Sequence, residues 1–181
     1  MKQPPARTAR DAIRCVLRRQ SPGRVVYAPN YWQWFTHHRN HGLLPDELRD
    51  CRSQLDLIRH LGLDVFSRNL YCDATACWFG GLADEVWDGV EVEVRRTTHG
   101  RDTITEKHYH TRAGVLTERL RYVFDQSTLV QEKHLLDDVD SQMAAFDEWV
   151  RARRWRFNRT AFETWRDAVG DAGVLNAGEL F

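Results

Sequence analysis

Apolar residues recur at helical spacing in several stretches of the chain and alternate with polar ones in others. Ile13, Val16 and Leu17 give the N-terminal stretch an amphipathic pattern, which predicts a first helix over about residues 6–19, stopped by Ser21-Pro22-Gly23. Arg24 to Ala28 reads as a short strand closed by Pro29. Asn30 is placed to cap an aromatic turn or helix from Tyr31 to Phe35. A second helix is expected from about Pro45 to His60. Pro45, Asp46 and Glu47 suit its first turn, Leu48, Leu55, Ile58 and Leu61 its apolar face, and Gly62 its stop. Asp64 to Ser67 then starts another strand. Strand, helix, strand is the order of a parallel crossover unit.

The period changes over residues 90–133. Val90, Val92 and Val94 alternate with Glu91, Glu93 and Arg95. His99-Gly100 is a turn signal, and Thr103 to Tyr109 is the returning strand. Leu116 to Phe124 and Thr128 to Glu132 predict a second hairpin around Asp125-Gln126-Ser127. Helical spacing resumes from Asp137 to Phe157. Asn158 caps a further helix through Val169, and Val174 to Ala177 is a third candidate for a parallel strand.

Several segments together resemble the N-terminal half of the uroporphyrinogen decarboxylase superfamily, which includes corrinoid-dependent methyltransferases. The matching features are the basic first helix, the Arg24-Val25-Val26 strand, the next helix and the Leu61-Gly62-Leu63-Asp64-Val65-Phe66 strand. Thr111-Arg112-Ala113-Gly114-Val115-Leu116-Thr117-Glu118 is similar to the family's Thr-Pro-x-Gly-x-Leu-Thr segment, with Arg112 where Pro is common. Glu132 to Asp138 resembles the lead into the following helix.

The resemblance implies an α/β fold: a partial (β/α)8 TIM-type barrel formed by residues 1–181 as one N-terminal half, with an antiparallel β-hairpin insert at about 88–133. Such barrels need about 250 residues, so roughly three barrel strands would leave open parallel edges. The isolated chain is then expected to dimerise, to pair with a complementary barrel half, to aggregate or to bind a hydrophobic dye.

The family's catalytic Asp follows a Phe-Ser pair on the second strand, whereas Phe66-Ser67 is followed here by Arg68. A guanidinium cannot stabilise a developing pyrrole cation, but it can grip an anion. The family's Arg-rich loop corresponds to Ala28 to Phe35, which contains no Arg. These departures favour the methyl-transfer branch over porphyrinogen-type decarboxylation. A non-catalytic truncated half or partner subunit is the third reading. For the complete protein the resemblance implies zinc and a corrinoid partner, with the zinc ligands in the C-terminal half and no cofactor on this half. Barrel sites lie at strand ends, so Tyr31, Trp32, Arg68, Asn69, Asn176 and Glu179 are the expected contacts to a small-molecule substrate.

Composition narrows the alternatives. The chain has 26 basic and 26 acidic side chains, which gives no overall footprint for nucleic acid or an anionic membrane. No apolar run is long enough to span a bilayer. Four cysteines, Cys15, Cys51, Cys72 and Cys77, are too sparse for a disulfide scaffold and suit a cytoplasmic protein with reduced thiols. His37 and His41 share a helical face, and His108 and His110 share a strand face. Neither pair brings an evident third ligand, so no metal site is assigned. The Arg151 to Arg159 run, interleaved with Trp155 and Phe157, reads as a solvated helix face paired with Asp147, Glu148, Glu163 and Asp167.

Overall fold

The computed structural model describes residues 8–67 and 82–175. The chain divides into two compact units: residues 1–82 with 158–181, and residues 83–157.

The first unit begins with α1 (Ala9–Leu17), whose Thr8 hydroxyl accepts from the Asp11 N–H. Next comes α2 (Trp32–Asn40), and Asn30 Oδ1 accepts from the Trp32 N–H at 3.0 Å. The single helix expected over 45–60 is two elements. A short 3-10 turn spans Asp46–Leu48, and α3 covers Gln54–His60. Ser53 and Asp56 form a reciprocal capping box that starts a new helix there. The unit continues with β1 (Val65–Ser67), and the chain re-enters it at Asn158, whose N–H donates to Leu82 O at 2.9 Å.

Among the described residues, two hydrophobic clusters hold this unit together. Leu55, Ile58, Val65 and Val169 are buried against Trp165, Ala168 and Leu175. Phe35, Leu48, Cys51 and Leu57 form the other cluster, with Tyr31 and Leu44 packed on it.

The second unit is antiparallel. Its strands are β2 (Ala83–Trp87), β3 (Glu91–His99), β4 (Asp102–Thr111), β5 (Gly114–Val123) and β6 (Thr128–Lys133). The helix α4 (Val139–Ala152) and strand β7 (Arg153–Phe157) follow. Strands β3 to β6 form one sheet in sequence order, and β2 pairs with β7. Opposite registry of Tyr109 and Leu116 puts both on one face of the sheet, where they pack with Ala145 and Trp149 of α4. The Tyr109 ring meets Trp149 edge-on at 5.7 Å. Its hydroxyl donates to Glu118 at 2.7 Å, and Lys107 lies 3.1 Å from the same carboxylate.

Asn158 Oδ1 caps α5 (Arg159–Val169), which leads through a 3-10 turn at Gly170–Ala172 into β8 (Gly173–Leu175), back in the first unit. Strand β8 runs parallel to β1, with Val65 opposite Gly173 and Ser67 opposite Leu175.

This architecture corrects the partial (β/α)8 barrel expected from the resemblance. Among the described residues the only parallel pairing is β1 with β8, and the largest sheet is a four-stranded antiparallel one. Strands β3 to β6 are joined by tight turns, and connections that short can only reverse the chain. The expected strand at Arg24–Ala28 forms no ladder: Asp64 N–H donates to Tyr27 O at 3.1 Å, and Pro29 follows. The antiparallel hairpins expected within 88–133 are present, extended by α4 and the β2–β7 pair. Helix α4 also ends earlier than the expected Phe157, because Arg153–Phe157 pairs with β2.

Candidate functional site

Parallel pairing of β1 and β8 brings their carboxyl ends, Ser67 and Leu175, to the same edge. The backbones approach closely at the start of the pair. A Cβ on Gly173 would overlap the Val65 carbonyl oxygen and lie 2.7 Å from Val65 Cβ. Glycine is needed at position 173 for space, since its backbone is extended.

Asp64, directly before β1, anchors the preceding loop. Arg24 grips its buried carboxylate with two nitrogens, one of them at 2.8 Å, and the Tyr27 N–H donates to the same group at 2.9 Å. The hydrogen bonds from Arg24 hold the Asp64 carboxyl below its ordinary range, against the opposing effect of burial. The Arg24–Asp64 pair escaped sequence reasoning. Arg24 was visible as a strand residue, but nothing local links it to a carboxylate on another segment.

Tyr31 and Trp32 lie at the start of α2, four and five residues beyond that anchor. Tyr31 is half-buried against Phe35, Leu48, Cys51 and Leu57, and its ring meets Trp34 edge-on at 6.0 Å. Trp32 is half-buried, and its indole N–H has no acceptor among the described residues. Phe35 is core, at 3% exposure. Arg68, Asn69, Asn176 and Glu179 lie outside the described residues, as do Cys72 and Cys77. By chain connection, Arg68 follows the end of β1 and Asn176 the end of β8.

The histidine pairs fall where the spacing placed them. The rings of His37 on α2 and His41 at its C-cap lie 4.4 Å apart, and His38 stacks on Trp34. On the face of the large sheet away from α4, His108 Nε2 is 2.6 Å from Glu106 and its Nδ1 is 3.3 Å from the Thr117 hydroxyl. His110 Nε2 is 3.9 Å from Glu93. Among the described residues, no group of three or more His, Cys, Asp or Glu side chains is arranged to hold a metal ion. No helix among them is long and apolar enough to cross a membrane.

The arginine run corrects another expectation. Only Arg151 lies on α4. Arg153, Arg154 and Arg156 lie on β7, where Arg153 pairs with Glu85 and Arg156 with Asp84. Arg151 does pair with Asp147, and Arg159 with Glu163.

A further cluster was not foreseen. In the first unit, Arg10 and Arg14 of α1 and Arg166 of α5 line one cleft beside β8. Their i,i+4 spacing on α1 was legible, but the approach of α5 was not.

No protein-family model, curated protein or solved structure matches the chain.

Proposed function

We propose that the protein is a uroporphyrinogen decarboxylase-like protein that binds a small substrate outside the carboxyl ends of β1 and β8. This site would serve the corrinoid-dependent methyl-transfer branch. One observation carries the reading: the β1–β8 register sends the chain into Arg68-Asn69 and into Asn176 from the same edge of a parallel pair. Ligands of parallel sheets bind in the crevice beyond that edge. The proposal therefore rests on strand-end geometry and segment resemblance, without a closed barrel.

In this reading Tyr31 and Trp32 supply an aromatic wall, and the indole N–H of Trp32, without an acceptor among the described residues, supplies a donor. Arg68 binds an anionic group, and Asn69, Asn176 and Glu179 orient the polar remainder. The acceptor would be a separate corrinoid protein.

Ligand-observed NMR on the 181-residue chain tests the proposal. The probes are a methylated amine, a thioether, an aryl methyl ether and a tetrapyrrole polycarboxylate. One methylated class is expected to bind saturably and to lose binding in Trp32→Ala and Arg68→Ala. Preferential binding of the polycarboxylate would replace methyl transfer with the decarboxylase alternative. Binding of none of the probes, or binding unchanged in both variants, refutes a substrate site at these strand ends.

A further inference from the structure

The cleft between α1, α5 and β8 has a chemistry of its own, and it does not depend on the function proposed above. It encloses about 250 Å³ and is lined by Arg10, Arg14 and Arg166 together with Phe162, Val169, Val174 and other apolar groups, with no carboxylate among the described lining residues. A volume just below the roughly 300 Å³ lower end for small-molecule sites suits a compact ligand.

The three guanidiniums are not equivalent. Arg10 is already committed: it donates to the Gly170 carbonyl, lies 3.4 Å from Asp171 and is 3.5 Å from Gly173 O. It fixes the turn that leads into β8. Arg166 uses Nε on Asp167 at 2.9 Å, which leaves its two terminal nitrogens for other acceptors. The Arg14 guanidinium has no ion-pair or hydrogen-bond partner among the described residues.

An apolar floor with two available guanidiniums at its rim matches a molecule with one anionic head and a short apolar tail. Phe162 and Arg166 are one helical turn apart on α5, and Arg10 and Arg14 one turn apart on α1. Each helix thus contributes to the rim, and α5 also contributes to the floor. We propose that this cleft is a binding site for a small amphipathic carboxylate, its head held by Arg14 and Arg166 and its tail laid on Phe162, Val169 and Val174. A carboxylate is the natural partner of a planar guanidinium fork, and the apolar lining disfavours a fully hydrated inorganic anion.

The test is a ligand-observed NMR titration of the full chain with octanoate, with octan-1-ol and octylammonium as matched probes. Octanoate is expected to bind saturably and octylammonium not at all. Octanol should bind at least tenfold more weakly, because it lacks the charge-assisted bonds. Arg14→Gln and Arg166→Gln should each weaken octanoate tenfold or more. Arg18→Gln, at the C-cap of α1 and outside the lining, should leave binding unchanged, and circular dichroism checks that the variants fold. Arg14→Lys should bind with intermediate affinity, since it keeps the charge and loses the fork. Equal affinity for octanol, binding undiminished in the Arg14 and Arg166 variants, or the absence of saturable octanoate binding would each overturn the assignment.

Discussion

Replacing Gly173 with alanine probes the contact that joins β1 to β8. A methyl group there would overlap the Val65 carbonyl oxygen and lie 2.6 Å from the carbonyl carbon and 2.7 Å from Val65 Cβ. The obstruction is mostly backbone, so no rotamer change relieves it. Gly173 is extended, at φ 167°, and the cost is therefore one of space. Strand β8 must move away from β1 or the pair must open. Opening uncovers Val65, now at 0% exposure, and loosens Val169, at 2%. Full exposure of one such side chain costs about 1.5–3 kcal/mol, and each lost ladder bond about 1 kcal/mol. A destabilisation of about 3–5 kcal/mol follows, above the roughly 1–3 kcal/mol typical of overpacking that side chains can absorb.

Gly89→Ala is the control. Its added methyl meets open space, and its φ of +73° imposes only backbone strain, about 1 kcal/mol. Hydrogen exchange by mass spectrometry, read on peptides covering 57–67 and 165–175, reports the pair directly. Gly173→Ala should speed exchange there by two orders of magnitude or more, while Gly89→Ala should leave those peptides unchanged. Unchanged protection in Gly173→Ala would show that β8 does not lie against Val65, and the strand-end site would go with it.

Three further outcomes are expected. Ser53→Ala removes the acceptor for the Asp56 N–H and should cost about 1 kcal/mol in urea denaturation, with loss of protection over Gln54–His60. The Asp64 carboxyl is lowered, so its pairing contributes stability above the ordinary carboxylate range, and that stability is lost as pH falls through the lowered value. Arg24→Ala should cost about 1–3 kcal/mol at pH 7, less than a fully buried pair because the Arg24 side chain is 42% exposed, and should raise the Asp64 pKa seen by carboxyl NMR. Burial first, and then the bond to Glu118, push the Tyr109 phenol well above its ordinary range. Tyr109→Phe should therefore cost about 2 kcal/mol while leaving the rise of phenolate absorbance up to pH 11 unchanged.

What was legible in the sequence was local. Asn158 and the Asn30 turn read as helix starts because a short polar side chain can reach the first free N–H groups. Alternation in Glu91–Arg95 and the turn at His99-Gly100 read as a hairpin because strand period and turn chemistry agree. What failed was decided by partners distant in sequence. Arg153-Arg154-Trp155-Arg156-Phe157 follows a helix without a break in pattern, and it becomes a strand because Ala83–Trp87 offers a ladder with Asp84 and Glu85 for the arginines. Ser53 was hidden inside an apolar period that suited one long helix.

The same distinction explains why the strand segments could be recognised while the architecture was not. Arg24–Ala28, Val65–Ser67 and Gly173–Leu175 are each short β-branched or apolar runs, and a resemblance built on such runs carries no statement of what each run pairs with. Pairing is set by the connections. Tight turns force β3 to β6 antiparallel, whereas β1 and β8 meet only after the chain has left the first unit and returned. Candidate residues on one segment, Tyr31 and Trp32, could be judged from that segment. Whether Arg68 and Asn176 belong to one site depends on the pairing of Ser67 with Leu175, a relation between two distant stretches with no local signal. The glycine at 173 is the nearest thing to such a signal. Its necessity appears only once Val65 lies against it.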